Sequence, residues 1–115
     1  MNTPPVLVID VAHPPRRPSA VEADLDEALA AIRRSGSHRV LKIVHGYGSS
    51  GVGGSTRTVV LNWLYRQRTR VKAVIEGPAY GVLDPETAEL RRAVGQFPDP
   101  DLDRVNPGVT IVWVK

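Results

Sequence analysis

Residues 40–55 read Val-Leu-Lys-Ile-Val-His-Gly-Tyr-Gly-Ser-Ser-Gly-Val-Gly-Gly-Ser, which predicts a strand, a glycine-rich loop and the start of a helix. The first part of this stretch belongs to a β-branched run, residues 39–44, that predicts a buried strand. Five glycines follow within residues 45–54, and Ser55 is placed to cap a helix that runs to about Arg70. Such a loop exposes backbone N–H groups beside a helix N-terminus, which is typical of an anion-binding site. The same glycines also fit a plain flexible tip.

Further strands and helices are predicted on both sides of this stretch. Ser19 and Glu22 have the spacing of a capping box, and apolar residues then recur at helical intervals until Gly36. Asp84-Pro85 is a typical helix start. The remaining segments are β-branched runs that predict strands, and the elements in order are strand 6–11, helix 19–35, strand 39–44, helix 55–70, strand 71–75, short helix 85–94 and strand 109–114. This alternation indicates an α/β layer architecture around a mainly parallel sheet, with the helices on one face or on both.

Length and composition bound the class of protein. A chain of 115 residues is expected to form one domain, residues 1–115, with a short tail at 1–5. The absence of cysteine excludes disulfide scaffolds, cysteine zinc sites, iron–sulfur clusters and thiol chemistry. No apolar run approaches the roughly 20 residues that cross a bilayer, and the N-terminus lacks the pattern of a signal peptide. We therefore expect a cytoplasmic protein without a membrane partner.

Positive charge is concentrated in the middle third of the chain. Residues 38–75 contain seven basic side chains and no acidic one, whereas acids equal or outnumber bases on both sides. A locally basic surface attracts polyanions, and nucleic acid is the commonest polyanion in a cell. The alternative is that helix surfaces simply carry charge for solubility. The basic candidates for phosphate contact are Lys42, Arg57, Arg66, Arg68, Arg70 and Lys72, together with the loop residues His45, Gly46, Tyr47 and Gly48.

Three residues are candidates for chemistry. Asp10 and His45 end the first two predicted strands, so they are expected to meet at one rim of the sheet. A histidine beside a carboxylate can transfer a proton, and a carboxylate can hold a divalent cation. His13 lies in the proline-rich loop that follows Asp10 and is the third candidate. The spacing of the three histidines predicts no metal-ligand motif. We therefore expect Mg²⁺ or Mn²⁺ as a cofactor only if the protein cleaves a phosphodiester.

These motifs resemble the small MutS-related (Smr) domain. Ile9-Asp10 matches the start of that family's Leu-Asp-x-His strand, and Val44-His45-Gly46-Tyr47-Gly48 matches its His-Gly-x-Gly motif. Residues 107–114 are similar to the closing strand, so the resemblance covers about 6–76 and 106–115. The chain departs from the family at His13, which lies one position late, and at Tyr47, where the family is often basic. Residues 77–105 look like an insertion before the last strand.

The resemblance implies a fold and a function. The implied fold is a two-layer α/β sandwich with a mixed four-stranded sheet, in which the last strand is antiparallel, and two main helices. The implied function is DNA or RNA binding, and in some members of the family DNA nicking or RNA cleavage. Two alternatives stay open, namely a metal-stimulated endonuclease that uses Asp10 and His45, and a non-catalytic module that binds proteins or small anions. The sequence does not decide between DNA and RNA targets, strandedness or oligomeric state.

Overall fold

The computed structural model describes residues 5–46 and 53–115. Helices and strands alternate along the chain as the sequence predicts. The elements are β1 (Val6–Asp10), α1 (Pro18–Arg34), β2 (Val40–Val44), α2 (Gly53–Arg66), β3 (Val71–Glu76), α3 (Pro85–Val94) and β4 (Val109–Val114), with 3₁₀ turns at Arg68–Arg70 and Gly77–Ala79. None of the described helices is long and apolar enough to cross a membrane.

The four strands form one mixed sheet in the order β1-β2-β4-β3. β1 pairs with β2 in parallel, and β4 lies antiparallel between β2 and β3. The expected mixed sheet with an antiparallel last strand is therefore confirmed. Because β1, β2 and β3 run in the same direction, their carboxyl ends lie at one edge of the sheet and their first residues lie at the other.

The two long helices cover one face of the sheet. Alternate strand residues point to this face, as the two-residue period of a strand requires. Leu41 and Ile43 of β2 and Val112 of β4 pack there against buried side chains of α1 and α2, among them Leu25 and Trp63. Trp63 also donates its indole N–H to Asp26 of α1 at 2.8 Å, so a hydrogen bond joins the two helices.

The segment between β3 and β4 covers part of the opposite face and adds a further layer there. Tyr80, Leu90 and Phe97 of this segment pack against strand residues that include Ile75 and Ile111. Burial on both faces explains why all six residues of β4 are apolar or hydroxylated and buried. The sequence predicts the short helix at its observed bounds but does not predict the face that the segment covers.

Two local predictions are corrected at helix ends. The Ser19–Glu22 capping box does not form, because α1 begins at Pro18 and its N-cap, Arg17, makes no side-chain capping bond. Proline suits the first helical position, where its missing N–H needs no partner. The second helix ends at Arg66 rather than near Arg70, and a 3₁₀ turn leads into β3.

Candidate catalytic pair and candidate nucleic-acid interface

Asp10 ends β1 and organises the loop that follows. Its Oδ1 accepts the backbone N–H groups of Ala12 and His13, both at 2.9 Å. His13 Nδ1 lies 3.0 Å from Oδ2 and 3.2 Å from Oδ1. Burial alone would raise the pKa of Asp10, but the N–H of Ala12 and the ring and N–H of His13 outweigh it and hold that pKa below its usual 3.8. The carboxylate is therefore ionised at neutral pH.

His13 presents a free ring edge to solvent. Its side chain is 71% exposed, and its Nδ1 faces the Asp10 carboxylate. In the neutral tautomer that donates its Nδ1–H to the carboxylate, Nε2 is an open acceptor. The proline-rich loop thus places the His13 ring beside the Asp10 carboxylate, although the histidine lies one position later in sequence than in the Smr motif.

His45 does not join this pair. Leu7 and Ile9 of β1 face the α1–α2 core, so strand alternation turns Asp10 to the opposite face. His45 lies on the α1–α2 side, where its Nε2 is 2.9 Å from Thr110 Oγ1 and its Nδ1 is 2.7 Å from the Gly46 carbonyl oxygen. Asp10 and His45 therefore lie at the same rim of the sheet, as predicted, but the prediction that they meet is wrong because their side chains are on opposite faces.

The contacts of His45 are those of an interior residue. Its exposed fraction is 1%, and both ring nitrogens have protein partners. Nδ1 donates to the carbonyl, so Nε2 accepts the Thr110 hydroxyl proton. Burial is the main cause that lowers the pKa of His45, and the nearby charge of Arg57 adds to it, while the Gly46 carbonyl and Glu76 oppose them. A neutral, buried ring is not positioned to act as a base on a substrate or to contact its phosphate.

The predicted anion loop is described only at its ends. Gly46 has φ +72°, a conformation that favours glycine, and its α-carbon faces Ala12. Tyr47 and Gly48 lie outside the described residues. Arg57, in α2, forms an ion pair with Glu76 of β3, so its charge is partly compensated. The phosphate-binding role of this loop stays a prediction.

Lys42 is buried and forms ion pairs with two carboxylates. Its side chain is 6% exposed, and its Nζ lies 2.5 Å from Asp99 Oδ1 and 2.5 Å from Asp101 Oδ2. Burial would lower the pKa of Lys42, but the two carboxylates outweigh it and raise that pKa above 10.5. The prediction that Lys42 contacts nucleic acid does not agree with this burial, because both its charge and its donors are used inside the protein.

Four other basic residues of the middle third lie where β2 and β3 begin and β4 ends. The backbone of β4 fixes this placement, since Val114 N–H donates to the Arg39 carbonyl and Lys115 N–H donates to the Arg70 carbonyl. Arg39 and Arg70 are therefore two strand spacings apart, roughly 10 Å. We call this set the basic edge; it comprises Arg39, Arg68, Arg70 and Lys72, all exposed.

Neutral groups hold two of the three arginines of the basic edge. Arg68 donates to the Tyr65 carbonyl at 2.8 Å, and its guanidinium lies 4.3 Å from the centroid of the Tyr65 ring. Arg70 donates to Gln67 Oε1 at 2.9 Å. Within residues 5–46 and 53–115, no carboxylate forms an ion pair with either arginine. The neighbouring candidate Arg66 differs, because it pairs with Glu22 of α1.

The predicted sites therefore separate into two places. Asp10, His13 and the Gly46 end of the loop lie at the carboxyl ends of β1 and β2, whereas the basic edge lies at the other end of the sheet. Candidate residues that the sequence prediction of the site omitted are Arg39 and Tyr65. Arg39 was part of the charge excess, but the exposed position of Tyr65 depends on where α2 ends. In the described part of the chain, no group of three or more His, Asp or Glu residues is placed to hold a metal ion.

The fold of this chain is similar to that of a domain of solved structure. The chain is similar to the Smr domain of MutS2 from Thermus thermophilus, with a TM-score of 0.56 and 18% sequence identity over 96% of each chain. Neither a protein-family model nor a curated protein sequence matches the chain. At this identity the likeness establishes the shared α/β fold and leaves the activity to be argued from the residues.

Proposed function

We propose that this protein is a nucleic-acid-binding domain that contacts phosphates through its basic edge. The observation that carries the proposal is the pair Arg68 and Arg70, which neutral acceptors hold in place while their charges stay uncompensated by described carboxylates. Arg39 extends the positive charge across the end of β4. The motif resemblance to Smr domains and the similarity to a solved Smr domain support the same class of partner.

The shape of the basic edge favours a polymer over a small anion. Its cations are spread over about 10 Å across the ends of β2, β4 and β3, whereas a small anion is held by donors that converge on one point. Arginine is also suited to this role, because its planar guanidinium binds phosphate oxygens in a bidentate manner. A repeating phosphate backbone matches an extended row of fixed guanidinium groups.

The proposal is tested by the salt dependence of binding. We expect labelled DNA and RNA oligonucleotides to bind with an affinity that falls as salt rises, at a slope of about 0.7–0.9 per phosphate contact. Fluorescence anisotropy over a salt series measures that slope. Absence of binding at low salt, or an affinity that does not change with salt, would leave the protein-interaction or small-anion alternative in its place.

A second candidate function, phosphodiester cleavage, is favoured by the Asp10–His13 pair. Asp10 accepts the Nδ1 proton and fixes the ring, so His13 Nε2 takes the proton of an attacking water or 2′-hydroxyl. The attacking oxygen then bonds to phosphorus while the phosphorus–oxygen bond to the leaving sugar breaks, and the leaving oxygen takes a proton from solvent. This assignment replaces His45 by His13 as the partner of Asp10.

Cleavage is tested on supercoiled plasmid and on structured RNA, with and without Mg²⁺ or Mn²⁺. If the pair is catalytic, His13→Ala and Asp10→Asn each reduce cleavage by about 100-fold or more, because general acid–base catalysis contributes on that order. Affinity should change only a few-fold, since the basic edge lies at the other end of the sheet. A wild-type protein that never cleaves, or a His13→Ala variant that cleaves normally, would remove this second function.

A further inference from the structure

Tyr65 distinguishes the basic edge from an ordinary charged surface. It lies in the last turn of α2, and it is 68% exposed even though Arg68 stacks on its ring. The other large apolar side chains that are exposed in the described part of the chain are aliphatic, and none has a stacked cation: Val8, Val82, Leu83 and Val105. An aromatic ring left in water beside uncompensated arginines therefore needs a separate explanation.

We infer that Tyr65 is a stacking platform for an unpaired base, and that the basic edge binds single-stranded nucleic acid. Single-strand binding surfaces combine arginine or lysine contacts to the backbone with aromatic rings on which bases stack. A duplex keeps its bases stacked on one another, so it offers this ring no free base face. The inference rests on the proposed function and adds the strandedness of the substrate.

The stacked arginine covers one face of the Tyr65 ring and leaves the other face for a base. Arg68 covers one ring face at 4.3 Å and is also fixed by its hydrogen bond to the Tyr65 carbonyl. Because one face is covered and the side chain is still mostly exposed, the opposite face is open to solvent. Two residues further along the turn, Arg70 is tied to Gln67 with its charge available to a neighbouring phosphate.

Two acids of α1 reach the end of α2, and both have partners there. Glu22 forms an ion pair with Arg66, next to Tyr65 in sequence, and Asp26 accepts the Trp63 indole N–H. On the far side of the basic edge, Lys72 lies 4.4 Å from the centroid of the Trp113 ring, in a depression that Glu86 and Glu89 also line. A strand that runs from Tyr65 toward the start of β3 would therefore meet Arg68 and Arg70 before it reaches these acids.

The inference is tested by comparing an oligothymidine with a hairpin duplex of equal nucleotide number, both labelled, by fluorescence anisotropy. We expect Tyr65→Leu to weaken binding of the single strand by about 5- to 150-fold, the range for loss of one stacked base. Tyr65→Phe keeps the ring and should stay within about threefold of wild type. Neither variant should change duplex affinity by more than about threefold. Because Tyr65 is exposed, circular dichroism should show that both variants fold.

The outcomes separate this inference from the proposed function. If wild type binds both probes in a salt-dependent manner and Tyr65→Leu leaves the single strand unaffected, the stacking role is overturned while nucleic-acid binding stands. If wild type binds neither probe, the proposed function fails and the inference fails with it. A bromouridine-substituted single strand gives a second readout, since photocrosslinking should map to Tyr65, and a crosslink confined to another part of the chain would contradict the placement.

Discussion

Lys42 connects the sheet to the segment between β3 and β4 that packs on its second face. It lies in the central part of the sheet and reaches Asp99 and Asp101 in the segment that covers the second face. Tyr80 donates its hydroxyl to the second oxygen of Asp99 at 3.0 Å, and Asn106 donates to Asp101 at 2.8 Å. These side chains form one buried polar network. Removing one of them leaves its charged or polar partners buried without a counter-charge or hydrogen bond.

Replacing Lys42 with Met tests this role. The variant keeps most of the side-chain length but leaves Asp99 and Asp101 without their buried counter-charge. We expect the free energy of unfolding to fall by about 3–5 kcal/mol, the usual loss when one partner of a buried pair is removed. Urea unfolding measures it. If the variant folds, its oligonucleotide affinity should match wild type, and a variant of unchanged stability with weakened binding would return Lys42 to the interface.

His45 makes a prediction about pH. Burial keeps its pKa below 6.5 in the folded state, so below that pH the unfolded chain binds a proton that the folded chain does not. Stability should therefore fall as pH drops from about 7 to 5, at a slope of at most about 1.4 kcal/mol per pH unit for one group. Urea unfolding of wild type and His45→Gln over this range measures the slope. The substituted side chain does not titrate, so equal slopes in the two proteins would contradict the assignment.

At the scale of elements, the turn after β3 depends on the absence of a side chain at Gly77. A β-carbon built there would lie 1.7 Å from the Asn106 carbonyl oxygen, which belongs to the backbone before β4. The close approach of these two backbone segments aligns the edge strand with the start of β4. Gly36, between α1 and β2, is a contrasting case, because a β-carbon there has no atom within 4 Å.

The paired substitutions Gly77→Ala and Gly36→Ala test this packing. Gly77→Ala should lower the free energy of unfolding by about 1–3 kcal/mol or more, because backbone must move to admit the methyl group. Gly36→Ala should change it by less than about 1 kcal/mol and is the matched control. Thermal and urea unfolding give both values. Equal effects of the two substitutions would mean that the Gly77 approach does not constrain the fold.

Element type was predictable from sequence, whereas element ends were less so. The hydrophobic periods of two and 3.6 residues identify every strand and helix, and Asp84-Pro85 fixes the start of α3, where Asp84 accepts the Thr87 N–H at 2.9 Å. The end of α2 carries no such marker, since Arg66 to Arg70 suit a helix by propensity. Its early end places Arg68 and Arg70 in a 3₁₀ turn rather than in the last turn of the predicted helix.

At the scale of the whole molecule, the charge excess was predictable but its location was not. In a count of charges along the sequence, Lys42 and Arg57 have the same weight as Arg68. In the structure, however, acids from distant segments pair with Lys42 and Arg57. Asp99 is 57 residues away from Lys42 in sequence, and no local pattern links them. The catalytic candidates show the same limit. Alternation separates Asp10 from His45, while an irregular loop brings His13 back to Asp10, and loop paths of this kind leave no periodic pattern in the sequence.

Binding of nucleic acid by the uncompensated arginines of the basic edge is tested by two matched double substitutions. Arg68→Ser/Arg70→Ser is compared with Arg92→Ser/Arg104→Ser, which removes the same charge from exposed positions in the segment between β3 and β4. The readout is the slope of log affinity against log salt for a labelled oligonucleotide. We predict that the first variant lowers the slope by about 1.4–1.8, two phosphate contacts, and that the second leaves it at the wild-type value. Equal losses in the two variants, or no loss in the first, would contradict the account.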